Sequence, residues 1–210
     1  MSTETPGLFD RVGAAFYEPV LSFGERRGGT ARRKRLLASA RGKVVEIGTG
    51  TGLNVPHYGA DVEDLVLTEP DEAMARRADE RLRGAGRPGQ VVRAGAESLP
   101  MPDGSVDTVV STLVLCTVPD PGAALSEVAR VLRPGGRLLF LEHVRADSDR
   151  LSRWQDRLAG PWRAFADGCR CNQPTLGLIE GALQVERVER ETWRGMPAIV
   201  HPLVAGEAVR

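Results

Sequence analysis

The stretch VVEIGTGTGLN, residues 44–54, sets Gly48, Gly50 and Gly52 directly after a short apolar run, with Glu46 just ahead of them. Glycines at this spacing let a backbone turn tightly and let a ligand come close to it. A loop that cradles a triphosphate needs G-x-x-x-x-G-K followed by Ser or Thr. Here Leu53 stands where the second glycine belongs, and no Lys-Ser or Lys-Thr follows. The dinucleotide fingerprint G-x-G-x-x-G fails at the same Leu53, in the place of its third glycine. What remains is E-x-G-x-G-x-G. A carboxylate at Glu46 would repel a pyrophosphate and suits a ligand that is cationic or rich in donors. S-adenosyl-L-methionine meets that demand: it has no phosphate and carries an ammonium and a sulfonium. About twenty residues on, Glu69 closes the next apolar run, at the place where an acid can accept hydrogen bonds from ribose hydroxyls. For each acid the plainer reading is a solvated strand end, and for the loop a tight turn.

These residues need strands and helices to hold them. KVVEIG and DLVLTE are short and β-branched and predict buried strands. PDEAMARRADERLRGAG opens with Pro and acids and ends in Gly, which punctuates a helix. GQVVRAG predicts a third strand, SVDTVVSTLVL a fourth, PGAALSEVARVLRPGG a helix closed by its glycines, and RLLFLEHV a fifth strand. This alternation predicts an α/β fold with a parallel sheet covered on both faces. Ligands in such sheets sit at the carboxyl ends of the strands, near the point where strand order reverses. The tail differs: DRLSRWQDRLAGPWRAF reads as an amphipathic helix, while QVERVERETW and AIVHPLVAGEAV alternate like two antiparallel strands. Ahead of the first strand, residues 8–23 carry apolar residues at mixed helical spacing, broken at Pro19, and ARRKRLLASA is a second helical stretch.

The rest of the composition mainly excludes. The chain has 210 residues, enough for one domain with a full core. Basic and acidic residues number 28 each, so total charge gives no case for nucleic acid. The basic run ERRGGTARRKR reads as a solvated helix face. No stretch approaches the eighteen or so apolar residues of a transmembrane helix, and the start MSTETPGLFD lacks the marks of a secretory signal. Cys116, Cys169 and Cys171 are odd in number and give neither a disulfide framework nor a full zinc ligand set. The expectation is a cytoplasmic protein with no metal.

Four segments, VVEIGTGTG, LTEP, AGAESLPMPDGSVDTVV and EVARVLRPGGRLLFLEH, span about Val44 to Val144. In order and spacing they resemble the motifs of the class I S-adenosylmethionine-dependent methyltransferases. The resemblance implies a Rossmann-like sheet of seven strands, mostly parallel with an antiparallel C-terminal strand, under a helical lid. It implies that Glu46, Gly48 and Gly50 line the methionine end of the cofactor, with Thr49, Gly52 and Asn54 in the same site. Glu69 would hold the ribose. Pro70 and Met74 would pack on the adenine, Ala96 and Glu97 would lie at its edge, and Thr112 and Leu113 would sit beside the methionine moiety. Gly95 stands where many relatives carry Asp, which leaves the adenine amino group to backbone or to Glu97. One domain is implied over residues 1–210: an N-terminal helical lid (1–41), a cofactor-binding core (42–145), a helical substrate-side insertion (146–183) and a C-terminal β-hairpin (184–210).

A narrower likeness, to the alkyl-thiol S-methyltransferase (methyltransferase-like seven) group, rests on STLVLCTV, LEHV, the Trp154–Trp162 segment, ADGC and HPLVAGEAV. It implies a small-molecule thiol as methyl acceptor, with dithiol secondary metabolites among the candidates. O-, N- or C-methylation of a quinone, phospholipid or other metabolite is the alternative, and a non-catalytic adenosyl-binding module a further one. A thiolate has a free pKa of about 8.5, so a strong base is not obligatory. His143, after the fifth strand, is the candidate base. Its neighbour Glu142 faces the other way along a strand. Asp167 is a second candidate catalytic residue. Tyr17, Cys116, Trp162 and Cys169 are expected to wall the acceptor site, among other aromatics of the lid.

Overall fold

A computed structural model describes residues 24–210. The helix expected at residues 8–23, and with it Tyr17, lies outside the described residues. Seven strands form one sheet: β1 (Gly42–Ile47), β2 (Val62–Thr68), β3 (Gln90–Val92), β4 (Val106–Thr112), β5 (Leu132–His143), β6 (Gln184–Thr192) and β7 (Pro202–Val209). Their order is β3-β2-β1-β4-β5-β7-β6. Pairs among β1 to β5 are parallel, and β7 runs antiparallel to both β5 and β6. The chain therefore leaves β1 in one direction and returns to its other side at β4. The β1/β4 boundary is the switch point where such sheets open a crevice.

The strands read as nearly continuous apolar runs because both faces are covered. Val45, Ile47, Val109, Leu138 and Phe140 face α3 (Pro121–Val131) and α5 (Thr175–Ala182). Val44, Leu65, Leu67, Val110, Leu139 and Leu141 face α1 (Thr30–Leu37) and α2 (Glu72–Gly84). Two helix starts are fixed as their sequences suggest. Asp71 accepts the Met74 N–H at 2.8 Å, and Asp120 accepts the Ala123 N–H at 3.0 Å ahead of Pro121. α4 (Asp149–Phe165) leaves the carboxyl edge of the sheet. β6 is the exposed edge strand and carries alternating Glu and Arg, which blunt it against pairing with another chain.

Two boundaries differ from the sequence reading. α3 ends at Val131, and Leu132 already pairs with Val106, so the RPGG segment belongs to β5. Pro134 disfavours helical backbone at Arg133 and Gly135 turns at φ 74°, which converts the expected helix stop into a strand irregularity. β4 stops at Thr112 because Leu113 takes a left-handed φ of 62°. Between residues 146 and 183, α5 buries Ile179 against the α3 face of the sheet.

Candidate active site

The turn after β1 is built from three glycines with φ of 54° (Gly48), 57° (Gly50) and 81° (Gly52). Each is required for a different reason. A Cβ on Gly48 would lie 2.7 Å from the Val114 side chain, and one on Gly52 would lie 3.1 Å from the Ala78 backbone. Those two glycines let the turn pack. A Cβ on Gly50 would meet nothing within 4 Å, so only Gly50 presents bare backbone to open space. The Gly50 N–H donates to Glu69 Oε2 at 2.8 Å, and the Asp71 N–H donates to Glu69 Oε1 at 3.0 Å. Each carboxylate oxygen keeps lone-pair capacity for a further donor. Burial raises the Glu69 pKa; the two backbone donors pull it back, and the charges of Asp71 and then Asp167 add smaller rises. An open glycine backbone beside a carboxylate with free acceptor capacity fits a phosphate-free nucleoside.

Glu46 is placed differently from the expectation that it lines the cofactor's methionine end. Its carboxylate is buried and accepts from Thr49 Oγ1 at 2.9 Å, from Asn54 Nδ2 at 3.1 Å and from the Tyr58 hydroxyl. Burial raises its pKa, and these donors and the Arg33 charge oppose the rise. Three donors from the segment after β1, two on Oε1 and one on Oε2, hold the carboxylate, so Glu46 braces the turn from behind. Thr49 and Asn54 are buried with it.

Arg33 is the residue the sequence reading missed. It lies in the basic run taken for a solvated face, yet it is 5% exposed. Its Nη1 donates to Asn54 Oδ1 at 3.0 Å and to Thr112 Oγ1 at 2.9 Å, and its Nε donates to Glu25 Oε1 at 3.1 Å. A fixed guanidinium thus joins α1, the glycine turn and the end of β4. The available signal was its spacing from Leu36 and Leu37, which puts it on the apolar face of α1.

Beyond Thr112, the Leu113–Val118 turn is held by Glu142. That carboxylate accepts from Ser111 Oγ at 2.6 Å and from the Val114 N–H at 3.1 Å. Burial pushes its pKa up to about 7. His143 points to the opposite face, stacked on Trp193 with ring centroids 5.7 Å apart. It is 6% exposed, its Nδ1 has no partner, and burial pushes its pKa down to about 4. The expected base is thus a neutral imidazole shut into the core formed with Trp193, Leu141 and Leu203. Asp167, by contrast, is exposed, at a φ of 46° in the connection between α4 and α5.

Cys116, Cys169 and Trp162, singled out separately, come together. The two sulfur atoms are 3.7 Å apart, and the contact with Cys116 lowers the Cys169 pKa; Trp162 adds a smaller lowering, while its buried indole N–H makes no hydrogen bond among the described residues. On the outer side of α4, Trp154, Leu158, Trp162, Phe165 and Ile199 line an apolar groove of about 540 Å³. Of the expected adenine contacts, Pro70 is exposed and Met74 half-buried at the start of α2. The Ala96 side chain is in the core, and Glu97 accepts the Asp120 N–H at 3.3 Å.

A mostly parallel seven-stranded sheet with an antiparallel β7, its glycine turn at the switch point and an acid closing β2 has the architecture of the class I S-adenosylmethionine-dependent methyltransferases. Residues 45–140 match the methyltransferase domain family model. The chain is 36% identical over 183 residues to the Homo sapiens thiol S-methyltransferase TMT1B, covering 83% of this chain and 74% of that protein. It is also 36% identical to the phosphatidylethanolamine N-methyltransferase of Cereibacter sphaeroides, over 141 residues, 66% of this chain and 69% of that one. The crystal structure of a Thermotoga maritima S-adenosylmethionine-dependent methyltransferase superposes with a TM-score of 0.71 at 25% identity, covering 96% of this chain and 97% of that one. The chain belongs to the family of the TMT1 thiol S-methyltransferases. It is an enzyme whose cofactor is S-adenosyl-L-methionine.

Proposed function

We propose that the enzyme methylates the sulfur of a small apolar thiol. When bound, S-adenosylmethionine supplies a methyl group activated by its sulfonium. Glu69 would hold the ribose hydroxyls, with the Gly50 backbone against the rest of the ligand. Arg33, fixed between Asn54 and Thr112, is suited to the cofactor's carboxylate. Pro70 and Met74 would pack on the adenine. Leu113, the 166–171 connection and Trp162 would wall the acceptor side and exclude water. Asp167, the exposed acid on that side, is the candidate to take the thiol proton; His143 keeps the core closed behind the site.

The observation that carries this reading is the reach of the likeness to TMT1B. It extends over 183 residues, against 141 for the N-methyltransferase, and so takes in more than the sheet motifs the two relatives share. A buried neutral His143 also fits an acceptor that ionises without a strong base. Dithiol metabolites are within the proposed acceptor class, and the proposed compartment is the cytoplasm. Among the described residues no helix is long and apolar enough to cross a membrane.

Incubation with methyl-labelled cofactor and matched panels of thiols, phenols and amines tests the proposal. Label is expected in thioethers, with rates rising as pH approaches the thiol's pKa. Transfer to phenols or amines with none to thiols would overturn it.

A further inference from the structure

Cys116 and Cys169 form a pair that the transfer reaction does not need. Both are free and buried, and their sulfur atoms lie 3.7 Å apart across a sequence separation of 53 residues. A disulfide needs about 2.05 Å between sulfurs, so about 1.7 Å of approach separates this contact from a bond. The two backbones are already tied. The Arg170 N–H donates to Cys116 O at 2.7 Å, and the Arg170 guanidinium reaches the carbonyls of Val118 and Pro119.

The partners are not equivalent. Cys169 follows Asp167 and Gly168, whose φ of 46° and 81° turn the chain between α4 and α5. It is the less buried of the two, 6% exposed against 1% for Cys116, and its contact with the Cys116 thiol at 3.7 Å draws its pKa down. Cys116 sits deeper, 1% exposed beside the Glu142 carboxylate, and its contact with Cys169 and its burial both push its thiol pKa up. Cys171 packs elsewhere, with Ile199 and Val200.

We propose that Cys116 and Cys169 are a reversible dithiol–disulfide pair, with Cys169 the attacking thiol and Cys116 the resolving one, open to low-molecular-weight disulfides. The Cys169 thiolate attacks one sulfur of a small disulfide, forms a mixed disulfide and expels one small thiolate. Cys116 then attacks the Cys169 sulfur, forms the intramolecular bond and expels the second. The two cysteine protons leave on the two released thiols, so one disulfide is exchanged for another without net oxidation. The product staples the 166–171 connection to the turn after β4.

The full chain, reduced and desalted, is incubated with hydroxyethyl disulfide and analysed by intact mass, thiol titration after denaturation and peptide mapping. The expected result is a monomer lighter by about 2 Da, with Cys171 as its remaining free thiol. A Cys116–Cys169 peptide should appear and be lost on adding dithiothreitol. Cys171→Ser is expected to behave identically. Cys116→Ser is expected to stop at a mixed disulfide on Cys169. A bond through Cys171, a link only between chains, or three titratable thiols after treatment would overturn the proposal. The wild-type peptide map decides it even where the Cys116→Ser chain folds poorly.

Discussion

Glu142 and His143 are neighbours on β5, and burial moves their pKa values in opposite directions. Glu142 keeps its proton to about pH 7 in the fold, against 4.5 for a free Glu side chain. Its contribution to stability is full below pH 4.5 and is lost as pH rises towards 7. His143 stays neutral in the fold down to about pH 4, against 6.5 for a free His side chain. Its contribution is full above pH 6.5 and is lost as pH falls towards 4. Between pH 4.5 and 6.5 the two slopes oppose each other, so the wild-type profile hides both. Glu142→Gln exposes them: its stability relative to wild type should climb between pH 4.5 and 7, by at most about 3 kcal/mol. Urea unfolding at three pH values measures this, and a constant difference would show that Glu142 does not hold its proton in the fold. At this scale the sequence reveals side-chain chemistry but not which lone pairs are already filled. Glu46 could be read as an acid near a glycine turn. That it is held by Thr49, Asn54 and Tyr58 depends on how the turn closes.

At the scale of elements, the glycine turn separates ligand space from packing. Gly50→Ala should cost about 1–2 kcal/mol for a left-handed residue and nothing further in folding, since the added Cβ meets no protein atom. It should weaken cofactor binding at least tenfold, because that Cβ projects into the open space. Gly206→Ala provides the contrast. Its Cβ would lie 2.2 Å from Arg187 O and 2.6 Å from the Phe140 ring, between paired strands far from the turn. It should cost about 3 kcal/mol or more, with unchanged affinity in whatever protein remains folded. Thermal melts and calorimetry separate the two, and unchanged affinity in Gly50→Ala would remove the turn from the site. The elements themselves were largely legible. Strand and helix periods are local, and Asp71 and Asp120 announce their helices. Arg33 was not, because its partners Asn54 and Thr112 lie 21 and 79 residues away. The meeting of Cys116 with Cys169 was hidden for the same reason, as both depend on how the chain returns to the sheet edge. The start of β5 at Leu132 was misread because Pro-Gly-Gly ends a helix and bends a strand equally well.

For the whole molecule, the order β3-β2-β1-β4-β5-β7-β6 gathers the chemistry at one edge. The ends of β1 and β2 carry the glycine turn and Glu69, the end of β4 carries Thr112 and Leu113, and the α4–α5 connection is tied to the turn after β4 through Arg170 and Cys116. The molecule also offers a competing cavity, the apolar groove outside α4, which includes neither Glu69 nor Gly50. A crystal structure of the protein with S-adenosylhomocysteine distinguishes the two places directly. The account predicts ribose hydroxyls on the Glu69 carboxylate, the Gly50 backbone against the ligand and its sulfur turned towards Leu113 and the 166–171 connection. A nucleoside seated in the groove outside α4, with the glycine turn and Glu69 untouched, would contradict it.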